Sequence, residues 1–162
     1  MIFNLDDLIA KSMHFRLQGR DWRLSELTRG DLGEIQAVVR RHAENPLVKA
    51  KEVCKELPPA TAAAVWKEAS RQNAYWPPPL HSEDGIQYVT GNIEIQSEVL
   101  YYGLKRDQPE VTREQCKEMA QSLPFDALIS LMLFCLIGQD PSDPKADSIS
   151  PGSTGKNSSD GS

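Results

Sequence analysis

The stretch at residues 124–138, PFDALISLMLFCLIG, is the most informative part of this sequence for the fold. It is apolar from Phe125 to Ile137 except for Asp126 and Ser130. A helix with apolar side chains on all sides is buried in a domain core or an oligomer interface. A membrane-spanning helix takes about 20 residues, so this run is too short for one. We therefore expect a buried helix that begins after Pro124 and ends at Gly138.

Upstream of this stretch, apolar residues recur at helical spacing in five further segments. Each segment begins at residues suited to a helix N-terminus: Thr28, Pro46, Pro58-Pro59, Asn92 or Gly91, and Thr112. Gln115 follows Thr112 at the spacing of a capping box. In the segment that follows Pro59, Trp66 lies in the apolar stripe, and we place it in the core. The sequence thus predicts about five to six short helices.

Residues 13–27 have the pattern of a β-hairpin instead of a helix. Met13, Phe15 and Leu17 alternate with polar residues before a Gly-containing turn, and Trp22 and Leu24 alternate after it. An isolated hairpin is only marginally stable in water, so this one must pack on helices or on another chain. The expected fold class is mainly α, with an N-terminal β-hairpin followed by a helical bundle.

Residues 76–91 are predicted to form a loop. They include three consecutive prolines at 77–79, the turn sequence SEDG at 82–85, and a short apolar stretch at 86–89 that we interpret as a strand. Loops of this length inside a compact domain often carry function. Trp76 has two interpretations: it belongs to a partner-binding patch beside the prolines, or, as we favour, it covers an edge of the core.

The two ends of the sequence differ from the predicted domain at 12–138. Residues 1–11 are interpreted as an amphipathic arm or a lid over the core, with Asn4 as a helix cap and Leu5, Leu8 and Ile9 on one side. Residues 139–162 are rich in Ser, Gly, Pro and Asp and contain one large aliphatic residue, Ile149. Such a segment cannot offset its ordering entropy by burial, so we expect a disordered tail.

Composition excludes several classes of protein. The net charge is −5 with a pI of about 5.2, which argues against nucleic-acid binding because that usually takes a basic stripe. The first ten residues lack the basic flank and apolar run of a signal peptide. Three cysteines without paired spacing are a poor disulfide framework and fit a reducing cytoplasm. We therefore expect a soluble, cytoplasmic protein without a membrane partner.

Sequence motifs of catalysis and of metal or cofactor binding are missing. The cysteines and histidines never approach the close pairs of a zinc site, and neither a phosphate-binding loop nor a nucleophile elbow occurs. Cys54 and Cys116 are poor candidates for a nucleophile, because the neighbouring Lys55 and Lys117 would point to other helix faces. We expect no enzymatic activity, no cofactor and no metal.

Three short stretches resemble the tail assembly chaperones of long-tailed, siphovirus-like bacteriophages and prophages. They are LTRGD at 27–31 after the hairpin, LKRDQPEVT at 104–112 between two helices, and the helix end LIG at 136–138. The resemblance covers roughly residues 13–140. It implies a chaperone that binds the tape-measure protein, keeps it soluble and helps to recruit tail-tube subunits. It also implies self-association, in the cytoplasm of the bacterial host.

For such a function we expect apolar surfaces to bind the partner. The six candidate contact residues are Trp22, Leu24, Trp76, Leu128, Leu131 and Leu133. Two other functions stay open: another phage head-tail adaptor or minor tail structural protein, and a helix-turn-helix regulator. The regulator is less favoured because its recognition helix should be basic, and no predicted helix here is basic.

Overall fold

A computed structural model describes residues 11–141 of this chain. Its elements are β1 (Ser12–Leu17), β2 (Arg20–Ser25), α1 (Arg29–His42), α2 (Pro46–Val53), a 3-10 turn (Cys54–Glu56), α3 (Pro59–Asn73), α4 (Glu83–Thr90), α5 (Ile93–Leu104), α6 (Arg113–Ser122) and α7 (Phe125–Ile137). The predicted class, mainly helical with an N-terminal hairpin, is confirmed. Residues 1–10 of the predicted arm and 142–162 of the predicted tail lie outside the described residues.

The β-hairpin forms as its sequence predicts. Phe15 lies opposite Trp22 and Met13 opposite Leu24 in the antiparallel pair. Gln18 and Gly19 make the turn with positive φ values of 53° and 75°, as a two-residue hairpin turn needs. Leu24 is fully buried, and β2 packs against α5. Helices of the same chain therefore stabilise the hairpin.

The helices begin where local capping chemistry places them. Thr28 forms a capping box with Asp31 at the start of α1, and Thr112 forms one with Gln115 at the start of α6. Each box satisfies backbone N–H groups that have no partner inside the helix. Gly138 ends α7 in the left-handed conformation with a φ of 67°. These boundaries confirm the predicted ones.

The prediction of a loop with a strand at 86–89 is wrong, because this region contains helix α4. The Ser82 side chain accepts a hydrogen bond from the Gly85 backbone N–H at 3.2 Å, and Glu83 and Asp84 place negative charge at the helix N-terminus. A side chain at Gly85 would lie 2.0 Å from the Pro79 carbonyl oxygen. The close contact between α4 and the proline segment, together with the burial of Val89, favours the helix.

The main hydrophobic core is centred on α5 and α7. α5 packs against β2, α1, α4, α6 and α7. It buries residues on several sides, among them Ile95, Val99, Leu100 and Leu104. α7 contributes Met132 and Phe134, which are almost completely buried, and the predicted burial of this helix is confirmed. At its ends, Phe125 and Ile137 are exposed.

Helices α2 and α3 form a helical hairpin that lies beside this core. They pack mainly against each other. Among residues 11–141, the main core includes no side chain from positions 44–79. The residues that the hairpin buries are Ala50 and Ala69. The prediction that Trp66 is a core residue is wrong: the α2–α3 contact covers only a narrow face of α3, and Trp66 is left exposed.

A candidate groove for a partner helix

The α2–α3 hairpin has an open groove between its two helices, which we call the α2–α3 groove. α2 lines it with four residues at the helical spacing i, i+3, i+4 and i+7: Pro46, Lys49, Ala50 and Val53. α3 lines it with a longer stripe of the same periodicity: Thr61, Ala64, Val65, Glu68, Ala69 and Gln72. The groove has a volume of about 480 Å³. Three of its ten lining residues are alanines, whose short side chains leave space between the two helices.

A second depression of about 300 Å³ continues the groove toward the proline segment. The two share Pro46 at the start of α2 and Gln72 near the end of α3, so the helices run antiparallel and the cavities join into one trough. Tyr75, which is 74% exposed, and Trp76 line this end. The trough is therefore long, open and bordered by aromatic side chains.

Contacts with α1 and the core hold the proline segment in place. The Gln36 side-chain amide donates hydrogen bonds to the Pro77 and Pro78 carbonyl oxygens at 3.2 and 3.3 Å. Leu80, which follows the prolines, is buried in the main core. These contacts fix the end of the trough although the hairpin itself lies outside the core.

An ion pair gives the groove a polar edge. Arg71 donates to Glu68 from Nε at 3.0 Å and from Nη2 at 2.6 Å, and Gln72 donates to the same carboxylate at 3.1 Å. The Arg71 hydrogen bonds, followed by the one from Gln72, lower the pKa of Glu68 from 4.5 to about 2. With Lys49 also lining the groove, the edge carries both charges around an apolar floor. An amphipathic helix, with an apolar stripe and polar flanks, fits such a surface.

The six candidate contact residues do not form one surface. Four of them, Trp22, Leu24, Leu128 and Leu131, are buried in the main core. Leu133 is partly exposed on α7, and Trp76 lines the end of the trough. Trp76 is therefore the candidate that the structure places at the end of the trough.

Sequence reasoning misses the main residues of the groove, among them Val53, Val65 and Tyr75. Their helical spacing is visible, and so is the run of small residues at 60–64 between Pro59 and Val65. The spacing alone does not tell whether a stripe is covered by the core or by another short helix. The three alanines at 50, 64 and 69 are the signal that could have found the groove, because small side chains on facing helices bury little volume.

The cysteine thiols are poorly placed for nucleophilic chemistry. Burial raises the pKa of Cys116 to about 12, and burial also raises the pKa of Cys135. Both thiols are therefore protonated at neutral pH, whereas the reactive species is the thiolate. Cys54 is partly buried, and its Sγ donates to the Ala62 carbonyl oxygen at 3.6 Å. Within residues 11–141, no cluster of three or more His, Cys, Asp or Glu side chains has the geometry of a metal site.

The apolar helix α7 is short for a bilayer. It has 13 residues, whereas a spanning helix takes about 20. Across residues 11–141, none of the helices has both the length and the hydrophobicity that crossing a membrane requires.

Comparison with known proteins identifies no relative of this chain. No protein-family model matches the sequence, no curated protein matches it, and no solved structure matches the fold.

Proposed function

We propose that this protein is a phage tail assembly chaperone whose α2–α3 groove binds the apolar stripe of the tape-measure protein. The observation that carries the proposal is the open trough between two helices that lie outside the main core. Grooves of this kind bind amphipathic helices through apolar residues at i, i+3 or i+4, and i+7. In this proposal the chaperone keeps its partner soluble and helps to recruit tail-tube subunits.

The dimensions of the groove support a helical partner. Its α3 side extends from Thr61 to Gln72, which is about 17 Å at 1.5 Å per residue. A partner helix of about three turns covers that length and presents two or three apolar side chains to the floor. The resemblance to tail assembly chaperones implies a partner with many such turns, because a tape-measure protein is a very long helix. Several copies of the chaperone would then coat one partner.

Exposed apolar side chains are concentrated on the α2–α3 hairpin and at its end. Val48, Val53, Trp66 and Tyr75 belong to this region, and two of them, Val53 and Tyr75, line the trough. Exposed apolar residues that lie close together mark interaction surfaces more often than scattered ones do. Such a surface suits reversible coating of an aggregation-prone partner in the host cytoplasm, and this binding needs no catalytic group or cofactor.

Two valines of α2 provide a matched test of the groove. Val53 lines it and is 46% exposed, whereas Val48 does not line it and is 53% exposed. We expect Val53→Asp to weaken binding to a tape-measure fragment by about tenfold or more, since it places a charge on an apolar contact surface. Val48→Asp should change the dissociation constant by less than about twofold. Calorimetry with a purified fragment of long predicted helix would measure both.

A second readout is solubility of the fragment during co-expression. The native chain and the Val48→Asp variant should keep the fragment in the soluble fraction, and the Val53→Asp, Val65→Asp double variant should not. If the double variant bound and solubilised the fragment as well as the native chain does, the groove would not be the binding site. If the native chain itself failed to bind the fragment, the proposed partner would be wrong.

A further inference from the structure

The two edges of the β1–β2 hairpin differ in how their backbone groups are satisfied. On the β2 edge, the Gln108 side chain accepts a hydrogen bond from the Arg23 N–H at 3.1 Å and donates one to the Arg23 carbonyl oxygen at 3.0 Å. The Ser25 hydroxyl donates to the Asp107 carboxylate at 2.9 Å. The segment that joins α5 to α6 therefore covers the β2 edge.

The alternation of an antiparallel pair shows which backbone groups face the other edge, that of β1. Arg23 directs its N–H and carbonyl groups away from the hairpin and lies opposite His14, so His14 directs its own groups outward on the other side. Ser12 and Arg16, each two residues from His14, share this orientation. Within residues 11–141, the backbone groups of these three residues have no hydrogen-bond partner. A strand edge in this state is a template for pairing with another chain.

The apolar side chains of β1 are also incompletely covered. Met13, Phe15 and Leu17 pack against the main core from the inner face of the hairpin, but each is only partly buried. Trp22 and Leu24 of β2, on the same face, are buried. The reason is that β2 packs against α5, whereas β1 contacts mainly β2. Apolar burial therefore decreases toward the β1 edge, where a further strand would extend it.

A second copy of β1 is complementary to this edge. In an antiparallel pair centred on His14, the two His14 residues lie opposite each other and Ser12 lies opposite Arg16. Each outward-facing backbone N–H of one strand then meets a carbonyl oxygen of the other. The same register places Met13 opposite Phe15 on the inner face, and cross-strand apolar pairs of this kind stabilise a sheet.

Charge does not oppose the association of two copies through this edge. Each arginine of the hairpin forms an ion pair with a carboxylate of the same chain, which reduces repulsion between two hairpins. These ion pairs are Arg16–Asp21, Arg20–Glu110 and Arg23–Asp107. In the register centred on His14, Arg16 faces Ser12, so like charges do not lie directly opposite each other.

We propose that two copies of this chain associate through their β1 edges and form one continuous antiparallel sheet. Because the α5–α6 segment covers each β2 edge, the assembly closes at two copies related by a two-fold axis. The dimer presents two α2–α3 grooves and uses none of the residues that line them. The proposal thus goes beyond the function proposed for the groove and does not depend on it.

A proline at position 14 tests the pairing at the level of the backbone. His14→Pro removes the outward N–H but no hydrogen bond between β1 and β2, and an edge strand tolerates proline at such a position. His14→Thr is the matched control, because it changes the side chain and keeps the N–H. We expect His14→Pro to raise the dissociation constant of the dimer by about tenfold or more, and His14→Thr to change it by less than about twofold.

Sedimentation equilibrium over a series of concentrations would measure these constants, and circular dichroism would show that both variants are folded. A native chain that stayed monomeric up to about 1 mM would overturn the proposal. If the folded His14→Pro variant dimerised as tightly as the native chain, the dimer would form through another surface and the proposal would be wrong.

Hydrogen exchange of the native chain gives a second test that does not depend on the folding of a variant. The His14 amide should exchange about tenfold more slowly at a concentration where the dimer forms than in dilute solution. The Arg23 amide is the internal control, because its hydrogen bond to Gln108 lies within one chain and its protection should not depend on concentration. An unprotected His14 amide at both concentrations would contradict the proposal. Equal protection at both would also contradict it, since a segment of the same chain would then cover the β1 edge.

Discussion

The core around α5 and the α2–α3 hairpin are both built from amphipathic helices, yet they use them differently. α5 fully buries Ile95, Val99 and Leu100. The α2–α3 hairpin buries Ala50 and Ala69. Both sets of residues follow helical spacing, so spacing does not explain the difference. The size of the buried side chains does: large residues fill the space between the helices of the core, whereas alanines leave a groove.

Because the two regions differ in packing density, substitutions in them should also differ in their effect on the free energy of unfolding. Truncation of a core side chain lowers the free energy of unfolding in two ways: apolar burial is lost, and a cavity is left behind. An open groove has no such cavity to create, because solvent already reaches it. Substitutions in the core should mainly affect unfolding, and substitutions in the groove should mainly affect binding.

The largest effect is expected from Phe134→Ala in α7. Phe134 is almost completely buried, and truncation of a core phenylalanine typically costs about 3–5 kcal/mol. Phe125→Ala on the same helix is the control: Phe125 is 67% exposed, and its truncation should change the free energy of unfolding by less than about 0.5 kcal/mol. Urea denaturation would measure both. Equal losses would show that the Phe134 side of α7 does not face the core.

A smaller effect is expected at Gly85, where α4 meets the segment that joins the two regions. An alanine side chain there would lie 2.0 Å from the Pro79 carbonyl oxygen, so α4 or the proline segment would have to shift. We expect Gly85→Ala to destabilise the protein by about 1–3 kcal/mol, as overpacking usually does. Gly33→Ala is the matched control in α1, because nothing lies within 4 Å of the added carbon. It should stabilise the protein by about 0.5–1 kcal/mol. Thermal unfolding of both variants would decide, and a stabilised Gly85→Ala variant would contradict the contact.

The same junction shows where prediction from sequence succeeds and where it stops. Capping boxes at Thr28 and Thr112 are predictable because each uses side chains within four residues of sequence. The stretch that begins at Ser82 is harder to predict, because Ser-Glu-Asp-Gly suits both a turn and a helix start. The choice between them depends on contact with Pro79 and on the burial of Val89, which are tertiary effects.

The candidate site is harder to predict than the fold for a related reason. A periodic apolar stripe predicts that one face of a helix is buried, but it does not predict which element packs against that face. Helical spacing therefore predicts a buried Trp66, although this side chain is exposed. The apolar character of α7 suggests a partner contact at Leu128 and Leu131, although the core buries both. The groove depends on how two short helices pair, and that pairing is not encoded in the spacing of either helix.

The smallest expected effect concerns the ion pair at the edge of the groove. Glu68 accepts hydrogen bonds from Arg71 and Gln72, and its pKa is lowered from 4.5 to about 2. A lowered carboxyl pKa stabilises the folded state above pH 4.5, and this contribution is lost as the pH falls toward 2. Because both side chains are largely exposed, the change in unfolding free energy should be close to the limit of measurement.

The pKa itself should nevertheless be easy to detect. Arg71→Ala should return the pKa of Glu68 toward its ordinary value, as followed by carbon NMR of the side-chain carboxyl. Glu94 is the internal control, because its pKa is lowered by Lys117 on α6 and should not respond to Arg71→Ala. If the pKa of Glu68 stayed low without Arg71, the polar edge of the groove would not depend on the Glu68–Arg71 ion pair. If the pKa of Glu68 rose while the pKa of Glu94 did not change, the electrostatic effect of Arg71 would be confined to the α2–α3 hairpin.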